Sequence, residues 1–320
     1  MDTQRLTRRQ VLVGGVVGMA GLMAPAEQAR AGSGPAPAAA AGTVKIGGDL
    51  SVNRMGFGAM RITGSGIWGE PKDPAEARRV LRRAVELGVN FLDTADAYGP
   101  QVSERLIAEA LHPYPAGMII ATKGGLVRPG PSQWVPDGRP EHLREACEAS
   151  LKRLKLARLD LYQFHRIDPK VPLEDSVGEL ARLQKEGKIR HVGVSNFGVE
   201  ELARARRVVP VVSVQNRYNI VDRAAADVLA ACEREGLAFI PWAPIASGSS
   251  DKLEASANSK ALETLAQARG VSVFQAAIAW LLATSPAMLP IPGTSSVKHL
   301  EENVAAARIK LSAGELAAIG

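Results

Sequence analysis

Cysteine and histidine are scarce in this sequence of 320 residues, which contains 2 cysteines and 5 histidines. Two cysteines do not indicate the disulfide framework that stabilises small secreted domains. Cys147 falls on an apolar stripe of helical spacing and Cys232 in a helix-like stretch, so we predict two buried, unreactive thiols. The histidines do not cluster with carboxylates at ligand spacing. The sequence therefore predicts no metal site and argues against a metal-dependent hydrolase.

The chain also lacks a run of lysine and arginine with interleaved aromatic residues beyond its first segment. The formal net charge of +6 comes partly from that segment, and nucleic acid is not expected as a partner. Hydrophobic residues make up 46% of the sequence, which is enough for one large core or two ordinary ones.

The amino-terminal segment does not follow the pattern of the remaining chain. Arg8-Arg9 precedes an apolar run over residues 11–24 that is broken by glycines and shorter than the ~20 residues of a comfortable membrane span. Ala29-Arg30-Ala31 offers a small-x-small cleavage site. Residues 1–31 thus resemble a twin-arginine signal peptide, which implies the twin-arginine export machinery as a partner and a periplasmic or other extracytoplasmic location. Residues 32–42 are of low complexity and predict a flexible linker.

Residues 43–320 alternate between strand-like and helical patterns. A small amino-terminal hairpin is followed by apolar runs at 55–60, 90–92, 118–123, 159–165, 189–195, 211–215, 237–242 and 288–292, with helical patterns between them. In the first helix, Asp73 is the expected amino-terminal cap and Gly88 the terminator. This alternation over ~250 residues predicts a single α/β domain, a (β/α)8 TIM barrel plugged by the hairpin. A doubly wound sheet is the rival architecture.

The predicted strands share a feature at their carboxyl ends that core packing does not explain. Each run from the second onward delivers a polar, aromatic or glycine residue there: Asp93, Lys123, His165, Ser195-Asn196, Gln215-Asn216, Trp242 and Gly293. Tyr98 follows on the loop after Asp93. Taken alone, Asp93 could cap a turn and His165 could be a core histidine. A barrel whose strands converge on one active face accounts for the whole series.

Six segments carry a resemblance to a known family: Phe-Leu-Asp-Thr-Ala-Asp-Ala-Tyr-Gly (91–99), Ala-Thr-Lys (121–123), Asp-Leu-Tyr-Gln-Phe-His-Arg-Ile-Asp (160–168), Gly-Val-Ser-Asn-Phe (193–197), Val-Gln-Asn-Arg-Tyr-Asn (214–219) and Ile-Pro-Gly-Thr-Ser-Ser-Val-Lys-His-Leu-Glu-Glu-Asn (291–303). In this order they resemble the aldo-keto reductase family over nearly the whole of residues 43–320. Residues 51–60 and the loop through Trp134 are most similar to bacterial pyridoxal reductase-like members.

The resemblance implies the catalytic residues Asp93, Tyr98, Lys123 and His165. Tyr98 would donate a proton to the developing alkoxide, and Lys123, oriented by Asp93, would lower the tyrosine pKa from its usual value of about 10. His165 would hydrogen-bond the substrate carbonyl. Met60 and Trp134 are the implied substrate contacts.

The resemblance also implies a nicotinamide nucleotide as cofactor. Its expected contacts are Ser195, Asn196, Gln215, Trp242, Pro244, Gly293, Ser296, His299, Glu302 and Asn303. Ser195, Asn196 and Gln215 would bind the carboxamide, and Trp242 would stack on the nicotinamide ring. Many relatives have lysine and arginine where this chain has Gly293 and His299. We expect NADPH, and the loss of these charges leaves NADH use open.

The sequence therefore predicts an NADPH-dependent oxidoreductase that reduces an aldehyde or ketone to an alcohol, with pyridoxal-like compounds among the candidate substrates. The alternative function is a nucleotide-binding redox-sensing or regulatory subunit with little turnover. The sequence leaves the physiological substrate and the oligomeric state open.

Overall fold

A computed structural model of the chain describes residues 36–245 and 257–320. The residues predicted as a signal peptide lie outside these ranges. Part of the predicted linker lies within the described residues, and this part is not an extended chain. Pro37–Ala41 form a 3-10 helix in which Ala38 and Ala41 are buried. Ala38 N donates to Leu87 O at 3.0 Å. The prediction of a flexible linker is wrong for these residues, because small alanine methyls pack closely against the end of the first helix.

Seven parallel strands form the central sheet. They are β3 (Phe57–Gly58), β4 (Phe91–Asp93), β5 (Ile119–Gly124), β8 (Leu159–Phe164), β9 (Ile189–Ser195), β10 (Val211–Gln215) and β11 (Ala238–Phe239), hydrogen-bonded in that order. All six residues of β5 are buried, as expected for a parallel strand covered on both faces. The strands β6 (Leu126–Val127) and β7 (Val135–Pro136) form a separate antiparallel hairpin in the loop after β5.

The eighth predicted strand, 288–292, closes the barrel without forming a regular ladder. Leu289 N donates to Phe239 O at 2.8 Å, and Gly56 N donates to Pro290 O at 3.0 Å. The segment therefore joins β11 on one side to the chain entering β3 on the other. Pro290 and Pro292 have no N–H to donate, which explains why the pairing stops after a few bonds. The (β/α)8 barrel is confirmed, although β3 and β11 are shorter than predicted.

Ten α-helices complete the described structure: α1 (Pro74–Glu86), α2 (Val102–Leu111), α3 (Pro140–Leu154), α4 (Leu173–Lys185), α5 (Val199–Arg206), α6 (Ala226–Glu235), α7 (Ala257–Arg269), α8 (Val273–Thr284), α9 (Val297–Ala305) and α10 (Ala313–Ile319). Asp73 caps α1 as predicted, since its side chain accepts from Glu76 N. The helix α10 was not predicted from the sequence. Its start signal is the capping box formed by Ser312 and Glu315.

The amino-terminal hairpin plugs the barrel as predicted. β1 (Thr43–Ile46) pairs antiparallel with β2 (Leu50–Asn53). Its side chains Ile46, Leu50 and Val52 belong to an inner apolar cluster together with Phe91 and Ile119. Since Phe91 and Ile119 begin β4 and β5, this cluster fills the amino-terminal end of the barrel and leaves the carboxyl-terminal end for the site.

The two thiols are buried as predicted, Cys147 in α3 and Cys232 in α6. Burial raises the pKa of both thiols to about 12. Among the described helices none has the length and apolar composition to cross a membrane singly, and the pair 260–269 and 273–284, which passes that test together, is bent by 104°.

Candidate active site

A cavity of 730 Å³ opens at the carboxyl ends of the barrel strands. Its volume lies in the range of ligand-binding sites. The predicted site residues that line it are Met60, Asp93, Tyr98, Trp134, His165, Ser195, Asn196, Gln215, Trp242, Pro244, Gly293, His299, Glu302 and Asn303. The structure therefore brings the predicted site together. Lys123 lies beneath the cavity wall in contact with Tyr98, and Ser296 directly precedes α9 beside the cavity.

Lys123 is the centre of a buried polar cluster at the end of β5. It is fully buried, and its ammonium donates to Asp93 Oδ1 at 2.6 Å, to Thr94 O at 2.9 Å and to Tyr98 OH at 3.3 Å. All three Lys123 protons thus have acceptors. The parallel register of β4 and β5, with Asp93 opposite Ala121, brings these side chains to one level of the barrel.

The tyrosine pKa differs from the sequence prediction. Burial raises the pKa of Tyr98 above its ordinary value, while the Lys123 charge acts in the opposite direction and offsets only part of the rise. Burial is the larger effect because Tyr98 is almost completely desolvated, with 6% of its surface exposed, and Lys123 lowers the pKa only from that raised level. Burial lowers the pKa of Lys123, but the interactions with Asp93 and Tyr98 together outweigh this effect, so the pKa is raised and the ammonium stays charged.

Two glutamines hold the second oxygen of Asp93. Gln163 Nε2 donates to Asp93 Oδ2 at 2.9 Å, and Gln215 Nε2 donates to it at 2.7 Å. Gln163 was not among the predicted site residues. It lies on β8 two residues before His165, and because alternate residues of a strand face the same side, this position could have indicated it.

His165 meets two aromatic rings at the cavity. Its ring centroid lies 5.8 Å from that of Tyr98 and 6.3 Å from that of Trp134, both edge to face. Burial, together with the positive charges of Lys123, Arg166 and Arg128, holds the pKa of His165 well below its ordinary value. The imidazole is therefore neutral at physiological pH. Its Nδ1 is buried without a hydrogen-bond partner.

The carboxamide-binding residues are already hydrogen-bonded to one another. Asn196 Nδ2 donates to His165 O and to Ser195 Oγ, each at 3.1 Å, and Trp242 Nε1 donates to Asn196 Oδ1 at 3.1 Å. Gln215 uses its amide protons on Asp93 and on Gln163 Oε1. The Ser195 hydroxyl proton and the Gln215 carbonyl oxygen are the groups that this arrangement offers to a carboxamide.

The other end of the cavity is formed by residues 293–303. A Cβ on Gly293 would lie 2.4 Å from Gly58 O, so the close approach of the two segments requires glycine here. α9 starts at Val297, whose N–H donates to Glu76 Oε1 at 3.2 Å, and the residue before it, Ser296, makes no side-chain cap hydrogen bond. A phosphate at this helix start can therefore be received by the backbone N–H groups that follow Val297.

The residues present fit a nicotinamide dinucleotide. The cavity runs from Tyr98 past the flat ring of Trp242 to the start of α9, so a ring platform and an anion site are separated along one volume. Charged and apolar wall residues that were not among the predicted site residues also line it, and Arg61, Ile67 and Arg166 are three of them. Arg61 and Ile67 lie in short 3-10 helices and Arg166 lies on the loop after β8, where a strand-end pattern gives no signal. Among the described residues no group of three or more His, Cys, Asp or Glu side chains is placed to hold a metal ion.

A family model supports the same assignment. Residues 54–320 match the model of the aldo/keto reductase family. The chain belongs to this family. An uncharacterized oxidoreductase of Schizosaccharomyces pombe is 54% identical over 282 residues, covering 88% of this chain and 90% of that protein. The pyridoxine 4-dehydrogenase of Escherichia coli is 41% identical over 271 residues, covering 83% and 93%.

A solved structure of the family is also similar. The crystal structure of an aldo-keto reductase from Klebsiella pneumoniae in complex with NADPH has a TM-score of 0.73 and 29% identity, and the match covers 87% of this chain and 93% of that chain. As a member of the aldo/keto reductase family with this fold, the chain is an NAD(P)H-dependent oxidoreductase.

Proposed function

We propose that the chain reduces an aldehyde or ketone to an alcohol with NADPH, and that Tyr98 is the proton donor. The observation that carries the proposal is the buried contact of Tyr98 OH with the Lys123 ammonium beside the cavity. A tyrosine with a raised pKa stays protonated at physiological pH, and the lysine charge stabilises the phenolate that forms when the proton leaves.

His165 positions the carbonyl. In a neutral imidazole only one nitrogen carries a proton, and placing it on Nε2 avoids burying an unpaired N–H at Nδ1. Nε2–H then donates to the substrate oxygen next to Tyr98. The bound nucleotide supplies the hydride that the carbonyl carbon receives. Tyr98 gives its proton to the oxygen, and solvent returns a proton to the phenolate.

The substrate class is a pyridoxal-like aromatic aldehyde. Two observations support this: the relative from Escherichia coli is named pyridoxine 4-dehydrogenase, and the substrate end of the cavity is walled by Trp134, Tyr98 and His165. Such walls favour flat rings.

The test is a turnover assay with NADPH and a panel of aromatic and aliphatic aldehydes that includes pyridoxal. We expect oxidation of NADPH that depends on the aldehyde, with aromatic members preferred. Tight NADPH binding without turnover of any panel member would contradict the proposal and favour the regulatory alternative.

The preference for NADPH is part of the proposal. At the two positions where many relatives have lysine and arginine, this chain has Gly293 and His299, and both line the cavity. An adenosine 2′-phosphate needs positive charge or strong donors. We expect His299→Arg to raise the ratio of kcat/KM for NADPH to that for NADH, and a wild-type ratio favouring NADH would contradict the cofactor assignment.

The extracytoplasmic location is likewise proposed, on the twin-arginine pattern of residues 1–31. Replacing Arg8 and Arg9 by lysine should retain the protein in the cytoplasm, because the export receptor recognises the arginine pair. Cell fractionation with immunoblotting is the measurement. An unchanged extracytoplasmic amount in the variant would contradict the proposal.

A further inference from the structure

Arg128 is a buried arginine beside the substrate end of the cavity, with 9% of its surface exposed. We propose that Arg128 is a positioning residue that fixes the substrate-facing wall formed by Ile67 and Trp134 and thereby decides which carbonyl compounds fit over Tyr98. This inference rests on the proposed reductase function, because it concerns the specificity of the same site.

The Arg128 guanidinium ties three chain segments together. Nε donates to Gln133 O at 2.6 Å, within the β6–β7 hairpin that carries both Arg128 and Trp134. Nη1 donates to Ile67 O at 3.0 Å and to Ala97 O at 2.9 Å, and Nη2 donates to Gly66 O at 3.0 Å. Ala97 directly precedes Tyr98. One side chain therefore fixes the hairpin and the loop after β3 against the loop that holds the proton donor.

The same guanidinium lies against the face of Trp134. Its central carbon is 3.6 Å from the Trp134 ring centroid, a close cation–π contact. The Trp134 ring in turn lies edge to face with Tyr98 at 6.2 Å and with His165 at 6.3 Å between centroids. Since one face of the indole is covered by Arg128, the position of Trp134 over the two site residues depends on that arginine.

The backbone of Ile67 adopts an unfavourable conformation, which indicates that its surroundings impose the position of the wall. Its φ angle is +56°, in the left-handed region that a β-branched residue rarely adopts. Such a conformation persists only when the surroundings impose it, and these outliers concentrate at binding sites. The carbonyl of Ile67 accepts from both Arg128 and Gly99 N, and the residue lines the cavity.

The chemistry of arginine suits this role better than that of lysine. Four of the five guanidinium protons are used on backbone carbonyls, whereas an ammonium has three protons and no planar face to stack. Among the residues that the structure describes, no carboxylate pairs with Arg128. A buried charge that is satisfied only by neutral carbonyls is costly to keep, which argues for a function beyond packing.

The test compares the wild type with Arg128→Lys, Trp134→Ala and the double variant. The readout is the ratio of kcat/KM for a flat aromatic aldehyde, 4-nitrobenzaldehyde, to that for propanal, both with saturating NADPH. A general loss of folded enzyme lowers both rate constants equally and leaves the ratio unchanged. We expect Arg128→Lys to change the ratio by about fivefold or more in the same direction as Trp134→Ala.

The double variant separates action through Trp134 from an independent effect. If Arg128 acts through the indole, Arg128→Lys changes the ratio little once Trp134 is absent, so the two effects are not additive. An unchanged ratio in Arg128→Lys, or full additivity, would overturn the inference.

A second measurement does not depend on turnover. The difference between the near-ultraviolet circular dichroism of the wild type and of Trp134→Phe isolates the Trp134 band, and Arg128→Lys should lose most of that band. Retention of the band would overturn the inference, whereas wild-type enzyme that turns over neither aldehyde would contradict the proposed function alone.

Discussion

Lys123 acts on Tyr98 through charge at a distance of 3.3 Å. Without it, burial and the carboxylates of Asp93 and Asp96 would raise the tyrosine pKa unopposed, and the phenolate formed in the reaction would have no cation beside it. We expect Lys123→Met to lower kcat for carbonyl reduction by ~10²–10⁴-fold while NADPH still binds. Steady-state kinetics and a nucleotide titration by fluorescence measure the two quantities.

The single variant also leaves Asp93 buried without its cation, which costs about 3–5 kcal/mol of stability. The matched control is Lys123→Met combined with Asp93→Asn, which removes the unpaired charge. If stability returns in the double variant and activity does not, the lysine has a direct effect on Tyr98. Recovery of activity together with stability would show a purely structural role.

The pH dependence of reduction follows from the same pair. Because Tyr98 donates only when protonated and its pKa is raised, we expect kcat/KM to stay level between about pH 6 and about pH 9 and to fall at higher pH. His165 adds no inflection in this range, since its pKa is held well below the ordinary value. A loss of reduction between pH 6 and pH 8 would contradict this protonation assignment.

At the scale of elements, the packing of α2 against β5 and α3 contains buried charge. Glu104 of α2 accepts from Thr122 Oγ1 at 2.6 Å and from Arg153 Nε of α3 at 2.6 Å. Asp96, on the loop before α2, has a buried Oδ1 without a hydrogen-bond partner. Burial, with Glu104 adding repulsion, raises the pKa of Asp96 to about 8.

This shift predicts that stability falls as pH rises. Between the ordinary aspartate pKa of 3.8 and the folded-state pKa of about 8, folded Asp96 keeps a proton that the unfolded chain has released. We expect Asp96→Asn to remove this dependence and to be more stable than the wild type by about 1–2 kcal/mol at pH 8. Urea unfolding at about pH 5.5 and about pH 8 decides it, and an equal change of stability with pH in both proteins would contradict the prediction.

The elements differ in how well the sequence predicted them. β9 and β10 have the predicted bounds, because their apolar runs and end signals agree. β11 contains only two residues of the predicted run 237–242, because proline interrupts its partner segment at 287–290. The strand-end residues of the site could be predicted from the alternation of strands and helices and from their place at the carboxyl ends of the strands. The contacts of Arg128 could not be predicted in this way, because they join loops whose approach depends on tertiary structure.

At the scale of the whole molecule, Arg54 secures the closure of the barrel. It precedes β3 and donates from Nε to Met288 O at 3.0 Å and from Nη2 to Leu282 O at 2.9 Å and to Ser285 O. These carbonyls lie in the last turn of α8, directly after it and at the start of the closing segment. We expect Arg54→Ala to lower the free energy of unfolding by about 2–4 kcal/mol.

Urea unfolding measures this loss, and the exposed Arg158 provides the matched control as Arg158→Ala. The control should change stability by no more than about 0.5 kcal/mol. Equal effects of the two substitutions would contradict a role of Arg54 in closure.

The role of Tyr98 as the proton donor is tested by Tyr98→Phe. The substitution removes one hydroxyl and keeps the ring that packs against Trp134 and His165. The measurements are kcat for NADPH-dependent reduction of the preferred aldehyde and the Kd for NADPH, on the same preparation. We expect kcat to fall by ~10²–10⁴-fold with the Kd unchanged. Full turnover in the variant would contradict Tyr98 as the proton donor.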